Sequence, residues 1–180
     1  MTTPPPVVLP GQRLTANRLN SALLIGRLVF SAYRDVGQSI SNTTVGETVN
    51  ALSWDNVAYD LLGGWSAATP TRYRPPIAGW YRVTGTASLQ GATGGNPVLR
   101  GASWRLNGGL PPAATTRPWI STVGTIPDTY LAFAAPDLPL QCNGSTDYIE
   151  LCPFQNSGGA VSTATGSTRP SISIYYAAPA

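Results

Sequence analysis

The stretch Tyr81-Arg82-Val83-Thr84-Gly85-Thr86-Ala87-Ser88-Leu89 decides the class of fold. Tyr81, Val83, Ala87 and Leu89 alternate with Thr84, Thr86 and Ser88, a period of two that puts the apolar side chains on one face of a strand. The pattern recurs further along the chain. Ala102, Trp104 and Leu106 alternate with Ser103, Arg105 and Asn107, and Asn107-Gly108 then signals a tight turn. Ile149 and Leu151 share one side of Asp147–Leu151, while Ile172, Ile174 and Tyr176 line up within Ser171–Tyr176. Weaker strand patterns cover Val29–Tyr33, Thr48–Trp54, Trp119–Val123 and Tyr130–Ala134. Eight or more short strands punctuated by Gly, Pro and Asn predict a mostly β protein, a sandwich or barrel. The 19 Gly and 17 Pro make turns dense and leave little room for long helices.

The first 28 residues read differently. Pro4-Pro5-Pro6 and Pro10-Gly11 favour an extended polyproline arm, which makes no internal hydrogen bonds and needs another subunit or a larger assembly to hold it. Residues 14–26 carry the one helix pattern. Thr15 is suited to cap the first turn, and Leu14 and Leu19 have the spacing of a hydrophobic staple. Leu19, Ala22 and Leu23 share a face, and Gly26 is placed to end the helix in the left-handed conformation. About ten residues of helix are not stable alone in water, so this one must pack on something. The expected division is an arm and helix over 1–28 and a β domain over 29–180. Pro4, Pro5, Pro6, Leu14, Leu19 and Leu23 are the expected anchoring residues.

Composition limits the chemistry. Charged residues make up 11% of the 180, less than half the usual ~25%, so the surface must be finished with small polar groups or covered by neighbours. All eleven cations are Arg; there is no Lys and no His. Without His, a serine or cysteine nucleophile lacks its usual base, and without Lys there is no P-loop, Ser–Lys dyad or Schiff base. The chain is therefore expected not to be an enzyme, and no cofactor or resident metal is expected. The net charge of +3 is spread thinly, which is not a nucleic-acid signature. No run of 18 apolar residues predicts a membrane span, and Met1-Thr2-Thr3-Pro4 does not read as a secretion signal.

Few side chains invite a site. Asp55 and Asp60 suit turn capping, with a partial calcium set (Asp55, Asn56, Asp60) and a glycosidase-type carboxylate pair as weaker readings. Asp147 and Glu150 are expected on opposite sides of one strand. Arg72 and Arg74 form the densest basic cluster, read either as a subunit or capsid contact or as two solvated loop arginines. Trp65, Trp80 and Trp119 are candidates to stack on sugar rings or to sit at subunit contacts. Trp54, Tyr59, Tyr81, Trp104, Tyr175 and Tyr176 add more aromatics than a small sandwich core easily holds. Cys142 is expected opposite the start of the 147–151 strand and Cys152 at its far end, too far apart to bond and thus free and mostly buried.

Several motifs occur in a familiar order. Leu52-Ser53-Trp54-Asp55-Asn56-Val57-Ala58-Tyr59-Asp60, Gly63-Gly64-Trp65, Tyr73, and Ala78-Gly79-Trp80-Tyr81-Arg82-Val83 resemble the C1q/TNF-like jelly roll. Asp147–Leu151, Gln155–Gly159 and Ile172–Tyr176 are similar to that family's last two strands and the loop between them. Asn143-Gly144-Ser145-Thr146 departs from the tighter Gly-Asp turn of many members. Pro10-Gly11-Gln12-Arg13-Leu14-Thr15-Ala16-Asn17-Arg18-Leu19-Asn20 resembles the opening of phage minor structural proteins, especially those of actinobacterial phages. The resemblance implies a jelly-roll β-sandwich and a homotrimer. It implies a virion location with capsid or tail proteins as partners, as capsid decoration, head fibre or minor tail protein. The alternative expectation is a receptor-binding module whose jelly-roll loops grip host surface glycan.

Overall fold

Alternation in the sequence becomes alternation in burial. Along Ser171–Pro179 the side chains of Ile172, Ile174 and Tyr176 are buried while Ser171, Ser173 and Tyr175 are half-buried. The computed structural model describes residues 23–43, 48–91, 98–111, 119–124 and 130–180, with residues 98 and 119–124 described by their backbone. Among these the strands are β1 (Leu28–Tyr33), β2 (Ser39–Ile40), β3 (Asn56–Asp60), β4 (Ala78–Leu89), β5 (Val98–Leu106), β6 (Trp119–Gly124), β7 (Leu131–Asn143), β8 (Ile149–Gln155), β9 (Val161–Ser162) and β10 (Ser171–Pro179).

The strands form a five-stranded antiparallel sheet in the order β3-β1-β10-β4-β7 and a three-stranded sheet in the order β6-β5-β8. β2 and β9 make a small ladder of their own. Thr43 and Leu52 lie beside the free edge of β8, their N–H groups donating to the carbonyls of Gln155 (2.7 Å) and Leu151 (2.9 Å). After Leu52 the chain enters the first sheet at β3 and β4, the second at β5 and β6, the first at β7, the second at β8 and the first at β10. First and last strands are paired. This alternation between layers is the jelly-roll β-sandwich.

The two sheets meet through Trp104, Leu151, Tyr81, Val83, Ile172 and Ile174, all fully or almost fully buried. Each such aliphatic side chain contributes about 1.5–3 kcal/mol by leaving water. Gly85 is where the layers come closest. A methyl group there would lie 2.9 Å from Leu151 Cδ2 and 3.2 Å from the Trp104 ring. The Trp104 indole N–H donates to the Pro136 carbonyl at 2.6 Å, tying the second sheet to β7.

The motif Gly79-Trp80-Tyr81-Arg82-Val83 has a physical reading. Tyr81 and Val83 point into the core, and the Tyr176 ring lies against Gly79, where a Cβ would come within 2.6 Å of it. Tyr81 and Tyr176 meet edge to face at 5.3 Å, and the Tyr81 hydroxyl donates to the Ile77 carbonyl at 2.7 Å. Asn107 and Gly108 both take positive φ (55° and 76°), and Leu106 and Gly109 exchange backbone hydrogen bonds of 3.0 Å, the two-residue turn the sequence predicts.

Several expectations need correcting. Thr48–Trp54 is not a strand: Thr48–Asn50 forms a 3-10 turn and 51–54 has no regular secondary structure. The reason is Asn50, which is buried and spends its side chain on Ser41 and Thr43 rather than on sheet packing. The strand expected over Tyr130–Ala134 runs on to Asn143 through Pro136 and Pro139. β7 is a sheet edge, and Pro136 and Asp137 sit in the register break opposite Thr84, so neither proline interrupts a central ladder. Ser88, assigned to the polar face, is fully buried with an unpartnered hydroxyl. Cys142 and Cys152 are free and buried as expected, but they do not flank a hairpin, because β7 and β8 belong to different sheets.

At the N-terminal side Pro4, Pro5, Pro6, Leu14 and Leu19 lie outside the described residues. The described residues open with Leu23 and Leu24 in helical conformation, and Gly26 follows at φ 78°, in the left-handed conformation expected of it. Leu23 is exposed; Leu24 is the residue that packs on the core. The Gly26 N–H donates to the Tyr176 carbonyl at 2.7 Å, so the segment joins the sheet before β1 begins.

Candidate functional site

Three of the aromatic and basic residues singled out in the sequence fall at one end of the sandwich, in the loop between β3 and β4. Asp60, at the end of β3, accepts the N–H groups of Gly64 (3.1 Å) and Trp65 (3.0 Å). This cap folds the loop back. Gly64 then passes so close to Tyr73 that a Cβ would lie 2.6 Å from its ring, and the Arg74 N–H donates to the Gly64 carbonyl at 2.8 Å. The Trp65 indole N–H donates to the Pro70 carbonyl at 3.2 Å, which pins the half-buried ring. The motif of Tyr-Asp, Gly-aromatic and Tyr is therefore a self-capped loop, and Asp55 does the same work elsewhere by accepting the N–H groups of Asp35 (2.9 Å) and Val36 (2.8 Å).

Against this loop lies the turn that follows β7. Asn143 Oδ1 accepts N–H groups from Ser145, Thr146 and Asp147, so the departure from the tighter turn is closed by a side chain. Gly144 has φ 75° and passes the Ile77–Ala78 peptide with no room for a Cβ. Between loop and turn is a shallow depression of about 310 Å³, lined by Gly64, Trp65, Ser66, Thr69, Arg74 and Ser145 among others. The structure thus brings Trp65 and Arg74 together.

Arg72 goes elsewhere. Its Nε lies 3.2 Å from a Glu150 carboxylate oxygen, with the Thr71 hydroxyl donating to the same oxygen at 2.9 Å and the guanidinium carbon 4.2 Å from the centre of the Tyr148 ring. Glu150 is 2% exposed and its second oxygen has no partner. Arg72 is therefore not simply a solvated loop arginine; it neutralises a buried carboxylate. Asp147 does not share a strand with Glu150: it precedes β8 and accepts from Asn143 N–H and the Asn107 side-chain amide, both at 2.7 Å.

Trp80 is exposed on β4, and Trp119 is described by its backbone alone, in β6. Trp54, Tyr81, Trp104 and Tyr176 belong to the core, Tyr59 is exposed, and Trp65 and Tyr175 are half-buried. Asp55 and Asp60 stand at opposite ends of the β3 segment, and among the described residues no three ligating side chains cluster as a metal would require. Burial, then the charges of Asp60 and Tyr81, push the Tyr73 phenol far above its ordinary value, and it stays neutral. Burial also raises the Cys142 thiol to about 12 and the Cys152 thiol higher still, so neither is a nucleophile at neutral pH.

Sequence reasoning missed two further features. Arg100 is buried and donates to the Gln90 carbonyl at 2.5 Å, with Nε and one terminal nitrogen unpartnered. A lone Arg in a period-two strand gives no sign of pointing inward. The second feature is the outward face of the five-stranded sheet. Tyr59, Ser31, Ser173 and Thr84 form one cross-strand row, flanked by Ser171 and Thr86 on one side and by Tyr175 and Arg82 on the other. Arg82 pairs with Asp137, Nε at 2.9 Å from both oxygens. A second shallow depression of about 330 Å³ lies over Thr84, Thr86, Ala134 and Ser173.

Fold and loops together define a jelly-roll β-sandwich with an open sheet face, small and uncharged at its centre and flanked by the Arg82–Asp137 pair, and a Trp–Arg depression at one end. No protein-family model matches the chain. No curated protein is similar to it in sequence. Among solved structures, that of the Eiger TNF from S. frugiperda is similar, with a TM-score of 0.46 and 12% identity over 86% of this chain and 96% of that one. The jelly-roll assignment stands on the strand order. No helix among the described residues is long and apolar enough to cross a membrane.

Proposed function

We propose that this chain is a structural, non-enzymatic virion protein of a bacteriophage: a homotrimeric surface module held to capsid or tail proteins by residues 1–28. The observation that carries the reading is the open face of the five-stranded sheet. Its central side chains are Ser31, Thr84, Thr86, Ser171 and Ser173, small and uncharged, with Tyr59, Tyr175 and Trp80 around them. This uncharged centre costs little to desolvate, the Arg82–Asp137 pair at its margin is already matched, and the aromatic residues are of the kind favoured at contacts. Three copies arranged about a cyclic axis bury it in a closed ring. The virion assignment adds the Pro-rich sequence of the arm and the Pro10–Asn20 resemblance, which support an anchoring role for residues 1–28.

Two measurements test it. Light scattering of the purified chain is expected to give three times the monomer mass, and Thr84→Glu with Ser173→Glu, placed side by side on that face, is expected to give a folded monomer by circular dichroism. A wild-type monomer at micromolar concentration, or an unchanged trimer in the double variant, overturns the trimer. Deleting residues 1–28 is expected to leave the trimer intact and abolish its co-sedimentation with phage particles; retained co-sedimentation overturns the anchor.

A further inference from the structure

We propose that the Trp65–Arg74 depression binds a saccharide bearing an anionic group, with a sugar ring against Trp65 and the anion on the Arg74 guanidinium. The proposal goes beyond the virion reading and stands without it. The volume, about 310 Å³, is at the small end of the roughly 300–1,000 Å³ of ligand sites, which suits one or two polar rings rather than a large ligand.

The aromatic wall is preformed. The Trp65 main chain is held by Asp60 and its indole N–H by the Pro70 carbonyl, so little side-chain freedom is lost when a ligand arrives. The cation is uncommitted. Arg74 is exposed, and among the described residues no group pairs with its guanidinium, whereas Arg72 two positions earlier is spent on Glu150. A guanidinium fork matches a carboxylate or a phosphate through two parallel hydrogen bonds.

Nothing in the lining competes for that fork. The depression has no carboxylate of its own, and both oxygens of nearby Asp60 are taken by the Gly64 and Trp65 N–H groups. Ser66, Thr69 and Ser145 add hydroxyls, which both donate and accept and so match the hydroxyls of a sugar. An apolar ligand would find Trp65, Pro75 and Pro76 interrupted by hydroxyls and the Arg74 guanidinium. A sugar acid or sugar phosphate finds a partner for each of its parts.

The test is calorimetric titration of the full chain with an oligogalacturonate, galactose 6-phosphate and a neutral galactose oligosaccharide, alongside ¹H–¹⁵N spectra of the indole groups. Both anionic probes are expected to bind at least about tenfold more tightly than the neutral one, since a charge-assisted pair is involved. They are also expected to shift the Trp65 indole signal, assigned through Trp65→Phe. Arg74→Gln, on an exposed side chain with no partner, is expected to abolish the preference for the anion, while Arg82→Gln keeps it. Equal binding of neutral and anionic sugars, no binding of any, a Trp65 signal that does not move, or a preference that survives Arg74→Gln overturns the proposal. A monomer in light scattering would end the trimer reading and leave this one untouched.

Discussion

β10 and β8 begin as similar sequences, Ser171-Ile172-Ser173-Ile174 and Ile149-Glu150-Leu151-Cys152, yet they end in different surroundings. β10 alternates half-buried and buried from Ser171 to Tyr176, whereas every residue of β8 is buried. β10 is central to a sheet whose outer face is open. On the outer face of β8, by contrast, Thr71 and Arg72 reach Glu150, and the guanidinium of Arg72 lies over Tyr148. A period of two reveals which side chains face the core. It does not reveal whether the chain's own loops finish the other face.

That contrast yields predictions of decreasing size. The two faces each carry an Arg–carboxylate pair, and they should respond differently to loss of the cation. Arg72→Ala strands a carboxylate that is 2% exposed and is expected to cost about 3 kcal/mol in denaturant unfolding. Arg82→Ala breaks a pair whose side chains are 60% and 44% exposed, and is expected to cost far less, because water already screens it. Equal losses would show that the cover over Glu150 is not dry. Next, Gly85→Ala pushes a methyl group toward Leu151, the Ser171 carbonyl and Trp104, where the layers meet, and should lower stability by about 1–3 kcal/mol. A midpoint unchanged from wild type would mean the sheets can part there without cost.

The smallest effect differs in sign between the two sheets. Tyr81→Phe removes the donor to the Ile77 carbonyl and is expected to destabilise by about 1 kcal/mol. Tyr73, stacked on Phe30 at 4.5 Å beside β8, has a buried hydroxyl with no partner. Tyr73→Phe should therefore be neutral or stabilising by up to about 1 kcal/mol. Thermal melts of the two variants side by side decide it, and a loss for Tyr73→Phe would reveal a partner for that hydroxyl.

Much of the fold was legible because it depends on local patterning. Tyr81, Val83, Ile172, Ile174, Trp104 and Leu151 face the core as their spacing predicts, and Asn107-Gly108 makes the expected turn. The second half of β7 was not legible, since Pro136 and Pro139 read as strand breakers until the sheet order makes β7 an edge. The candidate site was legible in part. Trp65 and Arg74 stood out as residue types, but Gly144 and Ser145, some seventy residues away, complete the depression only once β4 and β7 pair. Arg72 looked like Arg74's twin, and nothing local separates them. The partner that does, Glu150, is 78 residues distant.

Taken alone, the sequence determined a mostly β chain, its inward-facing side chains, its self-capped turns and the absence of His and Lys chemistry. These depend on residue type and on spacing within a few positions. Tertiary structure decided which strands became edges, which arginine was spent and which stayed open, and which sheet face was left uncovered. Those outcomes depend on pairings between residues far apart in the chain, whose geometry exists only after the two layers have closed on one another.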